Sequence, residues 1–292
     1  MDEVIRARAH AKVNLFLRVL SREADGFHGI ETLFCRISLA DELVIERTAS
    51  GVSLDTTAGD LGPVARNLAV RAAEAVLDAT GRRFGVRISL TKLIPVGAGL
   101  GGGSSDAAAV LLAVNRLAGN AVPRHELLQF AARLGSDVPF FVSDAALALA
   151  WGHGDRLIRV PPLPPAAMLV VAPSRPVSTA DAYGWLDAAR PDAFRRGALA
   201  LDLDALATWG DVARMAGNDF ESVVFEYRPE LRAAFEALAA TRPLVCRMSG
   251  SGAALYAIYR TARDRDDARM MLARKHGTVL SAETLAGPPA PV

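Results

Sequence analysis

Between Pro95 and Ser105 the chain reads PVGAGLGGGSS, with five glycines in eleven residues. Asp106 and the apolar run AAAVLLAV follow at once. This arrangement constrains the fold more than any other stretch. Glycines let backbone N–H groups converge on an anion with no Cβ in the way. A helix start adds unpaired N–H groups and the positive end of a dipole. Ser104 and Ser105 are placed to cap that helix or to reach a phosphate or its metal. A loop of this composition opening into a helix predicts an anion cradle, although glycine-rich turns also join elements in proteins that bind nothing.

Two common phosphate loops are disfavoured. The run lacks GK[ST], so it is not a Walker A loop. Gly97, Gly99 and Gly102 do spell G-x-G-x-x-G, a weak dinucleotide signal. A dinucleotide fold also wants an acid about 20 residues on, at a strand end. The first acid after Asp106 is Glu126, which falls inside a predicted helix.

The surroundings read as mixed strands and helices, an α+β pattern. Val13, Leu15, Leu17 and Val19 alternate with Lys12, Asn14, Phe16 and Arg18. That period-two pattern gives a strand with one apolar face and leaves Lys12 and Asn14 together on the other. TLFCRISL reads as a second strand and Glu42 to Glu46 as a third. Asn67 caps a predicted helix running to Ala79, and Val86 to Leu90 alternate as another strand. The glycine loop and its helix come next, then a helix from Arg124 to Gly135, GSDVPFF and the apolar stretch AALALAW.

PPLPP at 161–165 can continue neither a helix nor a central strand and predicts a boundary. The expected division is a first domain over 1–160, a second over 166–286 and a frayed tail over 287–292. The second half reads as a strand AAMLVVA, a capped helix from Ser178, two or three helices over 200–240, a strand–turn–strand over 244–259, a helix from Ala262 to Lys275 and a short strand.

The 292 residues carry a formal charge of +1, which gives no general attraction to nucleic acid or to an acidic membrane. The opening MDEVIRARAH has acids where a leader has bases, and no apolar run reaches the roughly 18 residues of a membrane span. A cytoplasmic protein is expected. Cys35 and Cys246 sit in strand-like apolar runs and read as buried thiols.

The run Pro95-Val96-Gly97-Ala98-Gly99-Leu100-Gly101-Gly102-Gly103-Ser104-Ser105 resembles the glycine–serine loop of the GHMP kinases, with one extra glycine. AKVNLFLRV near the N-terminus resembles that family's first motif, and VCRMSGSGAALYAI its third, in the family's order. AKVNLFLRVLSREADGFHGIETLF, LGSDVPFF and NDFES point within the family to kinases of a cytidine-diphosphate-linked methylerythritol. The resemblance implies a two-domain fold, a ribosomal-protein-S5-domain-2-like half followed by a ferredoxin-like half. It implies transfer of the ATP γ-phosphate to the 2-hydroxyl of that substrate, in the non-mevalonate route to isoprenoids. Homoserine- or mevalonate-type kinases share the loop, and a nucleotide-binding protein without catalysis is the alternative of a different class. No nucleic-acid or membrane partner is implied; a monomer or a homodimer is expected.

Phosphoryl transfer asks for alignment and charge neutralisation, and the alcohol must lose a proton. By position Asp137 is equally a helix cap after Gly135 or a proton acceptor; the resemblance favours the acceptor. Lys12 is either a solvated strand lysine or the cation that neutralises phosphate and orients Asp137. Asn14 would bond substrate or hold Lys12. Phe27 and His28 would recognise the base by stacking and hydrogen bonding, or else pack in the core and satisfy a turn. The family usually has tyrosine where Phe27 stands, so stacking survives and any hydroxyl bond does not. Thr179 and Tyr183 match substrate-side positions, and Asn67 an adenine contact. Gly250, Ser251 and Gly252 form a turn that the family places near the site. Magnesium is expected to enter with ATP; its protein ligand is open, with Ser105 the one named possibility.

Overall fold

The computed structural model describes residues 3–23, 26–59, 61–190, 202–273 and 276–287. The strands of the first half form one mixed sheet. They are β1 (Val4–Arg22), β2 (His28–Thr48), β3 (Val52–Thr56), β4 (Gly85–Thr91), β5 (Leu147–Gly152) and β6 (Arg156–Arg159). The backbone order is β3-β4-β2-β1, with β5 pairing the far half of β2 and β6 pairing β5. One face is covered by α1 (Leu68–Ala79), α2 (Gly102–Leu117), α3 (Arg124–Leu134) and α4 (Val138–Val142). Val76, Leu77, Ile88, Leu111 and Val114 lie in the core between them.

The second half begins after PPLPP with β7 (Ala167–Ala172). Among the described residues four α-helices follow: α5 (Thr179–Ala189), α6 (Trp209–Met215), α7 (Phe220–Tyr227) and α8 (Pro229–Ala239). Between α6 and α7 the two-residue β8 (Gly217–Asn218) leaves this half and pairs in parallel with β1. The chain then runs β9 (Val245–Met248), β10 (Leu255–Tyr259), α9 (Ala262–Leu272) and β11 (Thr278–Glu283). The four-stranded sheet is antiparallel in the order β11-β7-β10-β9. In chain order that is fourth, first, third, second, the ferredoxin-like arrangement the resemblance implies. A shared core of Leu15, Cys35, Val170, Tyr256 and Ile258 joins the two sheets.

Several expectations change. The second and third strands are one continuous β2, because its ends pair with different partners and each end needs only its own neighbour. β3 and β6 are short and lacked a long alternation to betray them. The helix expected to reach Lys275 ends at Leu272; Arg274 and Lys275 lie outside the described residues, as do 288–292 of the expected tail. The most consequential change concerns β1. Its stretch from Ala9 to Leu17 is buried on both faces, so Lys12 and Asn14 are 3% and 2% exposed. β1 is an interior strand between β2 and β8: Leu15, Leu17 and Val19 of its apolar face pack in cores shared with the second half, and the glycine loop and the start of α4 cover Lys12. From the second half, Tyr256 Oη donates to Asn14 O at 2.8 Å.

Candidate active site

The glycine loop spans the end of β4 and the start of α2 and lines a cavity of about 390 Å³. Residues 95–104 all border it, together with Asn67, Lys92 and Asp106. Two glycines are fixed by close approach. Gly99 has φ +77°, and a Cβ there would stand 2.2 Å from Ser249 O. Gly101 has φ +71°, and a Cβ would meet Phe141 Cζ at 2.9 Å and Lys12 Cγ at 3.1 Å. The loop is braced by other motifs rather than by itself. Lys12 N donates to Leu100 O at 2.9 Å, Ala254 N to Ala98 O at 3.0 Å, and Ser249 Oγ to Gly99 O at 2.8 Å. All three family-like segments therefore meet at one loop.

The serine pair is corrected. α2 begins at Gly102 with Gly101 as its N-cap, so neither serine caps it. Ser104 borders the cavity. Ser105 does not: its hydroxyl is buried and donates to His10 O at 2.7 Å, which takes it out of reach of a phosphate or its metal. Asn67 caps α1, accepting from Ala69 N at 2.9 Å, and also borders the cavity, so its two readings coexist.

At the loop's inner end stand Lys12 and Asp137. Lys12 Nζ lies 3.4 Å from Asp137 Oδ2 and donates to Asn14 Oδ1 at 2.7 Å. It also sits 5.0 Å from the centre of the Phe34 ring. Asn14 passes the chain on, its Nδ2 donating to Thr32 Oγ at 2.8 Å, which donates to Phe16 O. Asn14 thus holds Lys12 in place. Asp137 stands at the start of α4 but makes no side-chain cap bond. Its side chain is 30% exposed beside a lysine that is 4% exposed. A buried ammonium meets a carboxylate open to a ligand, an arrangement able to neutralise charge and to accept a proton.

The expected base-recognition residues, Phe27 and His28, stand at the start of β2. Phe27 is 66% exposed, so it is not core packing, and its ring is 5.4 Å from that of His153. His28 stacks on Tyr183 at 5.0 Å and its Nε2 lies 2.7 Å from Asp187 Oδ1. It is satisfied by a side chain from α5, not by its own turn. Asp25 of the same turn lies outside the described residues. Burial pushes the Tyr183 hydroxyl up to about 12, and the carboxylates of Asp137 and Asp187 add to the shift. Tyr183 therefore sits within the electrostatic reach of both Asp137 and His28's partner. Thr179, at the start of α5, shares a 2.9 Å hydroxyl contact with Ser251 of the Gly250–Gly252 turn.

Some functional-looking residues, or their contacts, were missed by sequence reasoning. Lys92 Nζ bridges Asp41 Oδ2 at 2.5 Å and Asp106 Oδ2 at 2.8 Å beneath the loop. Asp41 Oδ1 accepts from Leu93 N and Ile94 N, which fixes the chain entering the loop. Burial raises the Asp106 carboxyl above the usual range against the pull of Lys92, and its Oδ1 has no hydrogen-bond partner. Asn218 Nδ2 donates to Met248 O and Gly250 O, both at 2.8 Å, and so holds the third motif's turn. Lys92 at the exit of an alternating strand, three residues before Pro95, was the available signal.

The comparisons with known proteins agree with this geometry. Residues 67–145 match the GHMP kinases N terminal domain and residues 200–278 the GHMP kinases C terminal. The chain belongs to the GHMP kinase family. A 4-diphosphocytidyl-2-C-methyl-D-erythritol kinase of Solibacter usitatus is 45% identical over 265 residues, covering 87% of this chain and 80% of that protein. Another of that name from Pelotomaculum thermopropionicum is 39% identical over 94% of this chain and 95% of its own length. A crystal structure of 4-(cytidine 5'-diphospho)-2C-methyl-D-erythritol kinase superposes with a TM-score of 0.80 at 38% identity, covering 96% of this chain and 99% of the other. Homoserine kinase from Cytophaga hutchinsonii, at 19% identity and a TM-score of 0.71 over 100% of this chain and 98% of the other, shares the fold.

Proposed function

We propose that this protein transfers the γ-phosphate of ATP to the 2-hydroxyl of 4-diphosphocytidyl-2-C-methyl-D-erythritol, releasing ADP, in non-mevalonate isoprenoid biosynthesis. The relatives of that name at 39–45% identity support the acceptor. The observation that carries the chemistry is the 3.4 Å Lys12–Asp137 pair beside the end of the glycine loop.

In this reading the loop's main chain and the start of α2 hold the triphosphate. Lys12 neutralises charge on the group in transfer, and Asn14 keeps its ammonium aimed. Asp137 accepts the hydroxyl proton late, once bonding to phosphorus has acidified that oxygen. Phe27, His28 and Tyr183 take the cytosine side, Thr179 the substrate near the Gly250–Gly252 turn, and Asn67 the adenine side. Magnesium enters bound to ATP. Among the described residues no group of three or more His, Cys, Asp or Glu could hold a metal. A cation held mainly by substrate phosphates fits that donor set, because Mg²⁺ in such sites rarely has an all-protein cage. The acting form is a cytoplasmic monomer or homodimer with two domains meeting near 161–165. No described helix is long and apolar enough to cross a membrane, and both cysteines are free and buried.

A coupled ADP-release assay tests the reading. Turnover with the cytidylylated acceptor, and none with homoserine or mevalonate, is expected. Turnover with homoserine or mevalonate alone would move the protein to a sister activity. ATP binding without transfer to any of the three would favour a non-catalytic role.

A further inference from the structure

We propose that Arg36 is a positioning residue for Asp137: from the strand beside Lys12 it grips the C-terminal end of α4, the helix that carries Asp137 at its start, and so sets the Lys12–Asp137 separation. The proposal rests on the reading of Asp137 as proton acceptor.

Lys12 on β1 and Arg36 on β2 are register partners. Directly opposed residues on neighbouring strands project from the same face of a sheet. Both side chains therefore meet the short α4, one at each end. Lys12 reaches Asp137 at the N-terminal end. Arg36 reaches the other: its Nη2 donates to Phe140 O and Phe141 O, both at 3.2 Å, and its Nε to Ala145 O at 3.1 Å. Its guanidinium also lies 5.3 and 5.5 Å from the centres of the Phe140 and Phe141 rings.

An arginine that is 4% exposed is costly, and burial pulls its guanidinium down to about 10. Asp144 favours the charge from a distance, but its carboxylate pairs with Arg124 instead. The side-chain hydrogen bonds of Arg36 go to main-chain carbonyls at one helix end, where a cation complements both the unpaired C=O groups and the dipole. Arg124 and Arg159 also bond carbonyls of this end, those of Val142 and Ser143. Arg36 alone of the three is buried. A solvent-facing lysine or arginine would suffice merely to cap α4. A buried fork on the strand that pairs with Lys12 instead ties the helix to the same sheet face as its catalytic partner. Phe141 carries the constraint to the loop, because it packs where a Cβ on Gly101 would be.

The test is a kinetic cycle of Arg36→Met, Asp137→Asn and the double variant, measured as single-turnover transfer with ATP and the cytidylylated acceptor. Methionine fills similar space but cannot bond the carbonyls. Arg36→Met is expected to lower the transfer rate about tenfold or more with the KM for ATP within twofold. In the Asp137→Asn background the same change is expected to cost less than twofold, because a group acting through Asp137 has nothing left to position. Arg36→Lys, which keeps the cation but loses the fork, is expected to recover part of the rate. It carries the same cycle if the methionine variant does not unfold cooperatively. An equal fold-loss in both backgrounds, or a raised KM for ATP at unchanged rate, overturns the proposal and leaves the functional reading intact. A wild-type rate for Asp137→Asn alone sinks the functional reading and the proposal with it.

Discussion

In the proposed reading, the donor side and the acceptor side of the site are built on different principles. The donor side is main chain: a glycine run held by backbone hydrogen bonds from Lys12 N and Ala254 N, with Ser249 O pressed against Gly99. Its specificity lies in where carbon is absent. The acceptor side is side chain: Lys12 from β1, Asp137 from the start of α4, Phe27 and His28 from the first turn, Thr179 and Tyr183 from α5. A phosphate chain is the same in every ATP, so a fixed cradle of N–H groups serves it. An acceptor is recognised by its base and its hydroxyl, which needs functional groups gathered from separate segments. Substitutions should therefore act by steric exclusion on one side and by chemistry on the other.

The largest effect is expected where the two sides meet. Asp137→Asn and Lys12→Met should each lower kcat by roughly 10²–10⁴-fold, the range of a lost proton acceptor or charge stabiliser, with the KM for ATP nearly unchanged. Stopped assays over that dynamic range read it; a uniform rise in KM would place the pair in binding. Gly99→Ala should fail differently. The left-handed backbone alone costs about 1–3 kcal/mol, and the contact with Ser249 O adds to it. Thermal melting should drop by several degrees or more and ATP binding should weaken, both readable by calorimetry. A Gly99→Ala protein with normal melting and ATP affinity would break the distinction.

Phe27→Ala should raise the KM for the cytidine acceptor by about tenfold, as expected for a lost stacking contact of roughly 1–3 kcal/mol, and leave the KM for ATP alone. Phe27→Tyr should be close to neutral. The smallest effect concerns Glu221, which accepts from Met248 N behind the third motif. Burial pushes its carboxyl up to about 7, against the pull of that hydrogen bond and of Arg247. The folded value exceeds the unfolded one near 4.5, so the folded state binds the extra proton. Its contribution is complete below that unfolded value and is lost as pH rises through about 7. Melting temperature should fall from pH 5 to 8 more steeply in the native protein than in Glu221→Gln. Parallel curves would remove Glu221 as the cause.

The same contrast explains what could be read from the sequence. The donor loop was legible because glycine density and a following helix are local signals, and α1, α3, β4 and β7 followed from periodicity. Lys12 and Asp137 were visible as candidates, but their 3.4 Å contact was not, since 125 positions of chain separate them and only tertiary packing brings them together. The alternation of β1 left Lys12 open between a solvated lysine and a site cation; an interior strand with the glycine loop and Asp137 over it gives the same pattern. Ser105 looked like a cap or a ligand because its type and place suit both, and the helix instead starts three residues earlier at Gly102, with the left-handed Gly101 as its N-cap. Arg36 and Lys92 were illegible, because each acts on main-chain or carboxylate groups from remote segments; Asn218 stood out within NDFES, but not its hold on the Met248 and Gly250 carbonyls.

The most direct test is a crystal structure of the protein with the cytidylylated acceptor and a non-hydrolysable ATP analogue. The account predicts the analogue's phosphates along the loop from Gly97 to Ser104, the 2-hydroxyl within about 2.6–3.2 Å of an Asp137 oxygen, and the cytosine against Phe27 and His28. A hydroxyl out of hydrogen-bond reach of Asp137, with the γ-phosphate aligned to another group, would contradict it.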